Sequence, residues 1–186
     1  MRKNVFFSIF CFAALLFAEK VRAATDGTAG TTSFGTSSVS LVVPKLILAT
    51  QFANIALGTY NGSTAPSATR NICIATNNAA GNFKLTASGD GTGNAFTITD
   101  GASNTVPYAV TVFSQTAAGG TGVALTTGAL SAQMTLSSRK TISQCTGALG
   151  ATNLNASFKL DITNASAQAV PDGSYNGLLT LVFTAV

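Results

Sequence analysis

The segment Thr36-Ser-Ser-Val-Ser-Leu-Val-Val-Pro44 decides how the rest of this sequence is interpreted. Val39, Leu41 and Val43 recur at every second position, which is the pattern of a β-strand with one buried face. Residues 24–35 ahead of it are mainly Ala, Thr, Gly and Ser, and Phe34 is their one large side chain. A strand that follows such a segment of small residues either pairs within its own domain or completes the sheet of a neighbouring molecule.

Residues 1–23 have the features of a secretory signal peptide. Arg2 and Lys3 form a positive start, and an apolar run follows at residues 5–17. The run is shorter than the ~20 residues of a membrane-spanning helix, so a membrane anchor is the less favoured alternative. Cleavage is predicted between Ala23 and Ala24. Residues 24–43 are then an N-terminal extension with the predicted strand, and residues 44–186 are one domain of ordinary size.

Removal of the signal peptide changes the charge and the cysteine count. It takes four of the ten cations and one of the six anions, which leaves six cations and five anions. This balance argues against nucleic acid as a partner, because phosphate binding needs clustered Lys and Arg. Cys73 and Cys145 remain, and two cysteines in an exported chain predict a disulfide. A zinc site is not expected, because two thiolates without histidine cannot complete one.

The sequence offers little for catalysis. It contains no histidine, so Ser-His-Asp and Cys-His arrangements are impossible. The acids of the exported chain are all aspartates, and they lie mainly at predicted turns, where Asp forms local hydrogen bonds: Asp26, Asp90, Asp100, Asp161 and Asp172. We therefore predict a protein that is not an enzyme and has no cofactor.

Alternating apolar segments bounded by turn residues recur about every ten residues after Pro44, without sustained helical spacing. This pattern predicts an all-β sandwich. A short strand is predicted at residues 52–60. The last segment, Leu178–Val186, is apolar at both parities, which predicts a strand buried on both faces.

Three segments of the chain carry a resemblance to a known family. Val170-Pro-Asp-Gly-Ser-Tyr-Asn-Gly-Leu-Leu-Thr-Leu-Val-Phe183 looks like the closing strand of subunits of chaperone–usher fimbriae, in which a glycine often lies where Gly173 does. Val39–Leu48 resembles the N-terminal strand of alpha-type subunits, and Asn71–Val112 resembles archaic, spore-coat-U-like subunits. Ala185 and the late position of Cys145 depart from the classical type-1 group. The resemblance is therefore to the alternate or archaic types.

The resemblance implies an immunoglobulin-like β-sandwich that lacks its last strand and carries an N-terminal donor strand. A periplasmic chaperone fills the gap first, and at an outer-membrane usher the donor strand of the next subunit replaces it. The implied donor residues are Val39, Leu41 and Val43, with Phe34 as a further one. The implied acceptor groove is lined by Leu179, Leu181 and Phe183.

From these features we expect an exported structural subunit that polymerises by donor-strand exchange into a cell-surface fimbria for adhesion or biofilm formation. Its partners would be related pilus subunits, the chaperone, the usher and a surface receptor. The alternative is a self-contained β-sandwich binding module, a tip adhesin or coat protein that recognises a surface glycan or protein. A tip adhesin normally has a second domain, for which the chain has no room. Pairing of Val39–Val43 within its own sheet is the other open alternative.

Overall fold

A computed structural model of the protein describes residues 24–146 and 153–186. The predicted signal peptide, 1–23, with Ala23 of the predicted cleavage site, lies outside these residues. The chain divides into two compact units, Met1–Val43 and Pro44–Val186. Within the described ranges, no helix is long and apolar enough to cross a membrane.

The N-terminal unit contains a closed loop followed by a stretch without secondary structure. Thr25 and Thr36 exchange backbone hydrogen bonds of 3.1 and 3.0 Å. Residues 37–43 form no strand, and the side chains of Val39 and Leu41 are 95% and 84% exposed. The strand predicted at Thr36–Pro44 is therefore not formed in the single chain. Alternation favours a strand only where a partner strand supplies the backbone hydrogen bonds.

The unit of residues 44–186 is built from short antiparallel strands and one short helix, as far as the described residues show. In chain order the elements are β1 Ile47–Thr50, β2 Ser67–Thr76, β3 Asn82–Gly89, β4 Thr97–Thr99, β5 Thr105–Pro107, β6 Ala109–Phe113, β7 Gly122–Ala124, β8 Met134–Thr135, β9 Ala156–Asp161, α1 Asn164–Gln168 and β10 Leu179–Ala185. The hydroxyl of Thr163 caps α1 by accepting a hydrogen bond from Ser166 N at 3.1 Å.

Two sheets pack face to face and enclose the main core. The larger sheet has the order β1-β2-β9-β6-β7, the smaller has the order β10-β3-β8, and β4 with β5 forms a separate ribbon. The core is made of inward-facing residues of both sheets, among them Ile72, Ile74, Phe83, Leu85, Val110, Val112, Phe158 and Leu160. The predicted all-β sandwich is confirmed, because period-two alternation places these side chains on one face of each strand.

A second, smaller cluster covers the outer face of β2. Cys73 is bonded to Cys145, with their Cα atoms 5.6 Å apart. Ala75 packs beside them and pairs with Lys140 in an isolated bridge. The last five residues of β2, 72–76, are therefore buried in succession rather than alternately. The disulfide fastens the segment around Cys145 across the outer face of the sheet.

Loss of this disulfide is expected to lower the free energy of unfolding by about 4 kcal/mol, because the bond closes a loop of 72 residues in the unfolded chain. The test compares urea denaturation of the parent with that of the variant Cys73→Ser/Cys145→Ser. Reductant should shift the parent to the midpoint of the variant and leave the variant unchanged. A difference below about 1 kcal/mol would contradict this expectation.

Candidate functional site: an open groove at a sheet edge

The C-terminal strand β10 is the edge strand of the smaller sheet. It pairs with β3 in a register that runs from Leu179↔Gly89 to Ala185↔Phe83, and no strand of the described ranges pairs with its other edge. Val182 is 55% exposed, so the prediction of a strand buried on both faces is wrong. The smaller sheet packs against the larger one by its inner face alone. The alternate side chains of β10 that point away from this face, such as that of Val182, are therefore exposed to solvent.

The segment Phe52–Tyr60, here called the wall segment, continues the chain beyond β1. Gln51 precedes it with a φ of +70°, and such a residue turns the chain away from a regular ladder. The strand predicted at residues 52–60 is absent, because this turn ends the pairing of β1 with β2. Ile55 and Leu57 nevertheless pack against the core. The wall segment thus keeps its apolar side inward without pairing with β2.

Between the wall segment and residues 170–179 lies a groove with a volume of about 1260 Å³. Its floor consists of side chains from the larger sheet and the ribbon: Ile98, Val106, Tyr108, Phe158, Leu160 and Ile162. Drug-sized ligand pockets usually measure about 300–1,000 Å³, so this groove is large enough for a longer, extended ligand.

The structure places the predicted acceptor residues at one side of this groove. Leu179 and Leu181 line it. Phe183 lies next to it in the core, with its ring centroid 6.0 Å from that of Phe83 and 6.1 Å from that of Phe52. The predicted donor residues belong to the N-terminal unit, where the exposed fractions of their side chains are 63% or more: Phe34, Val39, Leu41 and Val43.

All three tyrosines of the sequence line the groove. Tyr175 Oη donates a hydrogen bond to Pro171 O at 3.0 Å. Burial and, to a lesser degree, Asp90 raise the pKa of Tyr108, and burial followed by two nearby aspartates raises the pKa of Tyr175. Both hydroxyls therefore stay protonated at neutral pH.

Sequence reasoning missed this tyrosine cluster. It did not single out Tyr60, whose hydroxyl is buried without a hydrogen-bond partner among the described residues. Tyr60 follows a glycine-containing segment and Tyr175 lies in an irregular loop. No periodicity in the sequence therefore links the two residues.

The two sides of the groove run in opposite directions. Asn77 Nδ2 donates to Pro44 O at 2.7 Å, and Asn78 Nδ2 donates to Val186 O at 2.6 Å. These neighbouring asparagines show that β1 begins at the end of the sandwich where β10 ends, here called the root end. At the opposite end, here called the far end, Thr99 pairs with Asn176.

A strand that binds in the groove could cover both the unpaired edge of β10 and the apolar floor. It could pair its main chain with the unpaired edge of β10, and it could place every second side chain on the apolar floor. Because the two sides are antiparallel, such a strand would run parallel to one of them and antiparallel to the other. The arrangement is suited to peptide binding by strand addition.

Phe52 should be a stabilising residue at the root side of the groove, because its ring lies 6.1 Å from those of Phe158 and Phe183. The substitution Phe52→Ala is expected to lower the free energy of unfolding by about 1–2 kcal/mol, since the ring is half-exposed. Phe34→Ala makes the same chemical change at a ring that is 86% exposed, and it should leave urea denaturation unchanged. Equal effects of the two substitutions would refute the packing role of Phe52.

No protein-family model matches the chain, and no curated protein matches it. Among solved structures, it is similar to a chain of a chaperone–tip adhesin complex described as vital for synergistic activation of CFA/I fimbriae biogenesis, with a TM-score of 0.51 and 15% sequence identity. The similarity covers 75% of this chain and 42% of that chain. The protein thus spans less than half the length of the chain it matches, and the likeness concerns the fold.

Proposed function

We propose that the protein is a structural subunit of a surface fimbria and polymerises by donor-strand exchange. The observation that carries the proposal is the groove beside the unpaired edge of β10. Exposed apolar surface and an unpaired strand edge both favour association with a further strand. The segment Val39–Val43 of a second copy would supply that strand.

The donor segment fits the groove in its pattern and its length. Val39, Leu41 and Val43 lie on one face of an extended chain and are spaced by about 7 Å. Nine residues of the wall segment line the groove, which compares with five residues from Val39 to Val43. Phe34 has the opposite parity and lies within the loop closed by Thr25 and Thr36. Its use as a further donor residue requires that loop to open.

The residues that join the two units support a second copy as the donor. Leu46 N donates to Asn77 Oδ1 at 2.8 Å, and Asn77 N donates to Leu46 O at 3.3 Å. The ladder of β1 and β2 therefore extends to Leu46. None of residues 44–46 has a positive φ, whereas tight two-residue hairpin turns need one. This backbone supports the assignment of the donor segment to a second copy rather than to the same chain.

Chain length disfavours a donor strand from the same chain that runs parallel to the wall segment. A donor strand parallel to the wall segment would bring Val43 near Tyr60. Residues 44–46 would then have to return to the start of β1, but three residues span at most about 11 Å. The wall segment alone is about 30 Å long when extended. We therefore assign this orientation to a strand from a second copy.

The proposed partners follow from the open groove. A newly exported subunit would expose its apolar floor, so a periplasmic chaperone that lends a strand would protect it. Exchange of that strand for a donor strand would take place at an outer-membrane usher. The fold shared with a chain of a fimbrial chaperone–adhesin complex supports this family of partners. We propose export through the periplasm and a role at the cell surface in adhesion or biofilm formation.

The parity of the donor segment gives a direct test. The exported chain, residues 24–186, should form multimers that survive dilution, measured by size-exclusion chromatography with light scattering. Leu41→Asp should prevent their formation, because a carboxylate on the apolar floor carries a large desolvation penalty. Val42→Asp is the matched control with the opposite parity, and it should assemble like the parent. Equal assembly of both variants, or a parent that stays monomeric, would favour the self-contained binding module.

A peptide of residues 36–44 provides a second test on a chain that begins at Pro44. Binding of the peptide to the groove should raise the melting temperature of the truncated chain. A ligand that binds only the folded state stabilises that state by about 2.7 kcal/mol when the ligand concentration is 100 times the dissociation constant. The peptide with Leu41→Asp should have no effect at the same concentration. Failure of the unchanged peptide to raise the melting temperature would contradict the proposal.

A further inference from the structure

The cations of the sandwich are concentrated at its root end. Four of the six cations in residues 44–186 lie there: Lys45, Lys84, Arg139 and Lys140. Lys45 follows Pro44, and Lys84 faces Thr184 near the end of β10. Arg139 Nη1 donates to Asn78 O at 3.3 Å, and Lys140 forms a bridge with Ala75 near the end of β2. An α-carboxylate at Val186 would reduce this excess by one charge.

The acids are concentrated at the opposite end. The sandwich has four aspartates, and topology brings all of them to the far end: Asp90, Asp100, Asp161 and Asp172. Asp90 follows the end of β3 opposite Leu179, and Asp161 ends β9 opposite Ser67. Asp161 is paired with Lys159 at 2.8 Å, so the net negative charge at this end belongs to Asp90, Asp100 and Asp172.

Two of the far-end acids, Asp100 and Asp172, lie close to Tyr175 of the groove. Asp172 lines the groove beside Tyr175. Both Asp100 and Asp172 contribute, after burial, to the raised pKa of Tyr175, which places them on the same side of the molecule. A hydrogen bond from Asn104 holds the pKa of Asp100 below its usual value. The carboxylate of Asp100 is therefore charged at neutral pH.

The polarity of a donated strand determines which ends meet. A donor that runs antiparallel to β10 passes from the root end of the groove to its far end. Its last residue, Val43, then leaves the groove at the far end and continues into Pro44 at the root end of the donating copy. The opposite polarity would bring two root ends together, with cations facing cations.

We propose that the root end of one copy docks onto the far end of the next, with the cations around Lys45 and Arg139 facing the carboxylates of Asp100 and Asp172. The inference rests on the proposed strand donation, because Pro44 ties the donor segment to the root end. It adds a second interface of charged residues to the groove. This interface selects one polarity of the strand, since the reverse polarity is repulsive.

Such an interface acts mainly on the rate and direction of assembly. Exposed charge pairs contribute little to affinity, whereas complementary charged surfaces steer encounter and reject wrong orientations. The steering weakens as salt shortens the Debye length, which is about 10 Å at 0.1 M. Assembly of the exported chain should therefore slow as salt is added at constant pH.

Charge reversal at each end of the full exported chain tests the proposal. Lys45→Glu/Arg139→Glu and Asp100→Lys/Asp172→Lys should each slow assembly by about tenfold or more at low salt. Combining all four substitutions restores opposite signs across the interface, and it should bring the rate back towards that of the parent. Asp26→Lys, outside the sandwich, is the control for an altered net charge and should have little effect. Assembly is followed by light scattering.

Recovery in the combined variant also excludes misfolding as the cause of the slow rates, because it carries every substitution. If the Asp100 turn does not tolerate Lys, the pair Lys45→Glu and Asp172→Lys serves instead. The proposal is overturned if the single-end variants assemble like the parent, or if the combined variant is as slow as they are. Normal assembly of these variants together with loss of assembly in Leu41→Asp would refute the end-to-end interface and leave strand donation intact.

Carbodiimide cross-linking of the unchanged chain gives an independent measurement. This reagent couples a lysine amine to a nearby carboxylate, and the products are identified by mass spectrometry. We expect cross-links between Lys45 of one copy and Asp172 or Asp100 of another, detected with mixed isotope labels. They should be lost in Leu41→Asp, in which the donor segment cannot be seated. Multimers without any such cross-link would contradict the proposed interface.

Discussion

The unpaired edge of β10 is the constraint on which the rest of this structure depends. Backbone N–H and C=O groups need partners, and the groove beside β10 leaves both main-chain groups and an apolar floor uncovered. A β-strand meets both needs, because it pairs by its main chain and points every second side chain inward. The proposed acceptance of one more strand follows from these two uncovered features.

The segment Val39–Val43 lacks a partner strand in the described residues. It has the side-chain alternation of a strand and lacks strand structure, with Val39 almost fully exposed. Asn77 holds Pro44 and Leu46 in line with the β1 ladder through hydrogen bonds of its side chain. An unpaired sheet edge and an unpaired alternating segment thus occur in one chain, and the proposed strand donation joins them between two copies.

The placement of the charged residues favours one polarity of the proposed strand donation. Residues 24–186 have few charged side chains, and the sum of their charges is close to zero, which by itself says nothing about their placement. Antiparallel pairing brings Lys45, Lys84 and Arg139 to one end of the sandwich, although they are far apart along the sequence. The same pairing brings Asp90 and Asp161 to the other end. In the proposed assembly, ends of opposite charge favour head-to-tail contacts over the reverse.

By itself, the sequence determined the sandwich and the inward positions of its strands, because period-two burial is a local property of alternation at segments such as Phe83–Ala87. It also identified the pair Cys73 and Cys145, the two cysteines left after residue 23. Only the tertiary structure decided that residues 39–43 and 52–60 form no strand and that Val182 faces solvent. It alone placed Asn155 in the core, where its side chain pairs with both backbone groups of Ile74. Pairing and exposure depend on which distant segment lies alongside, and alternation within a segment carries no information about that neighbour.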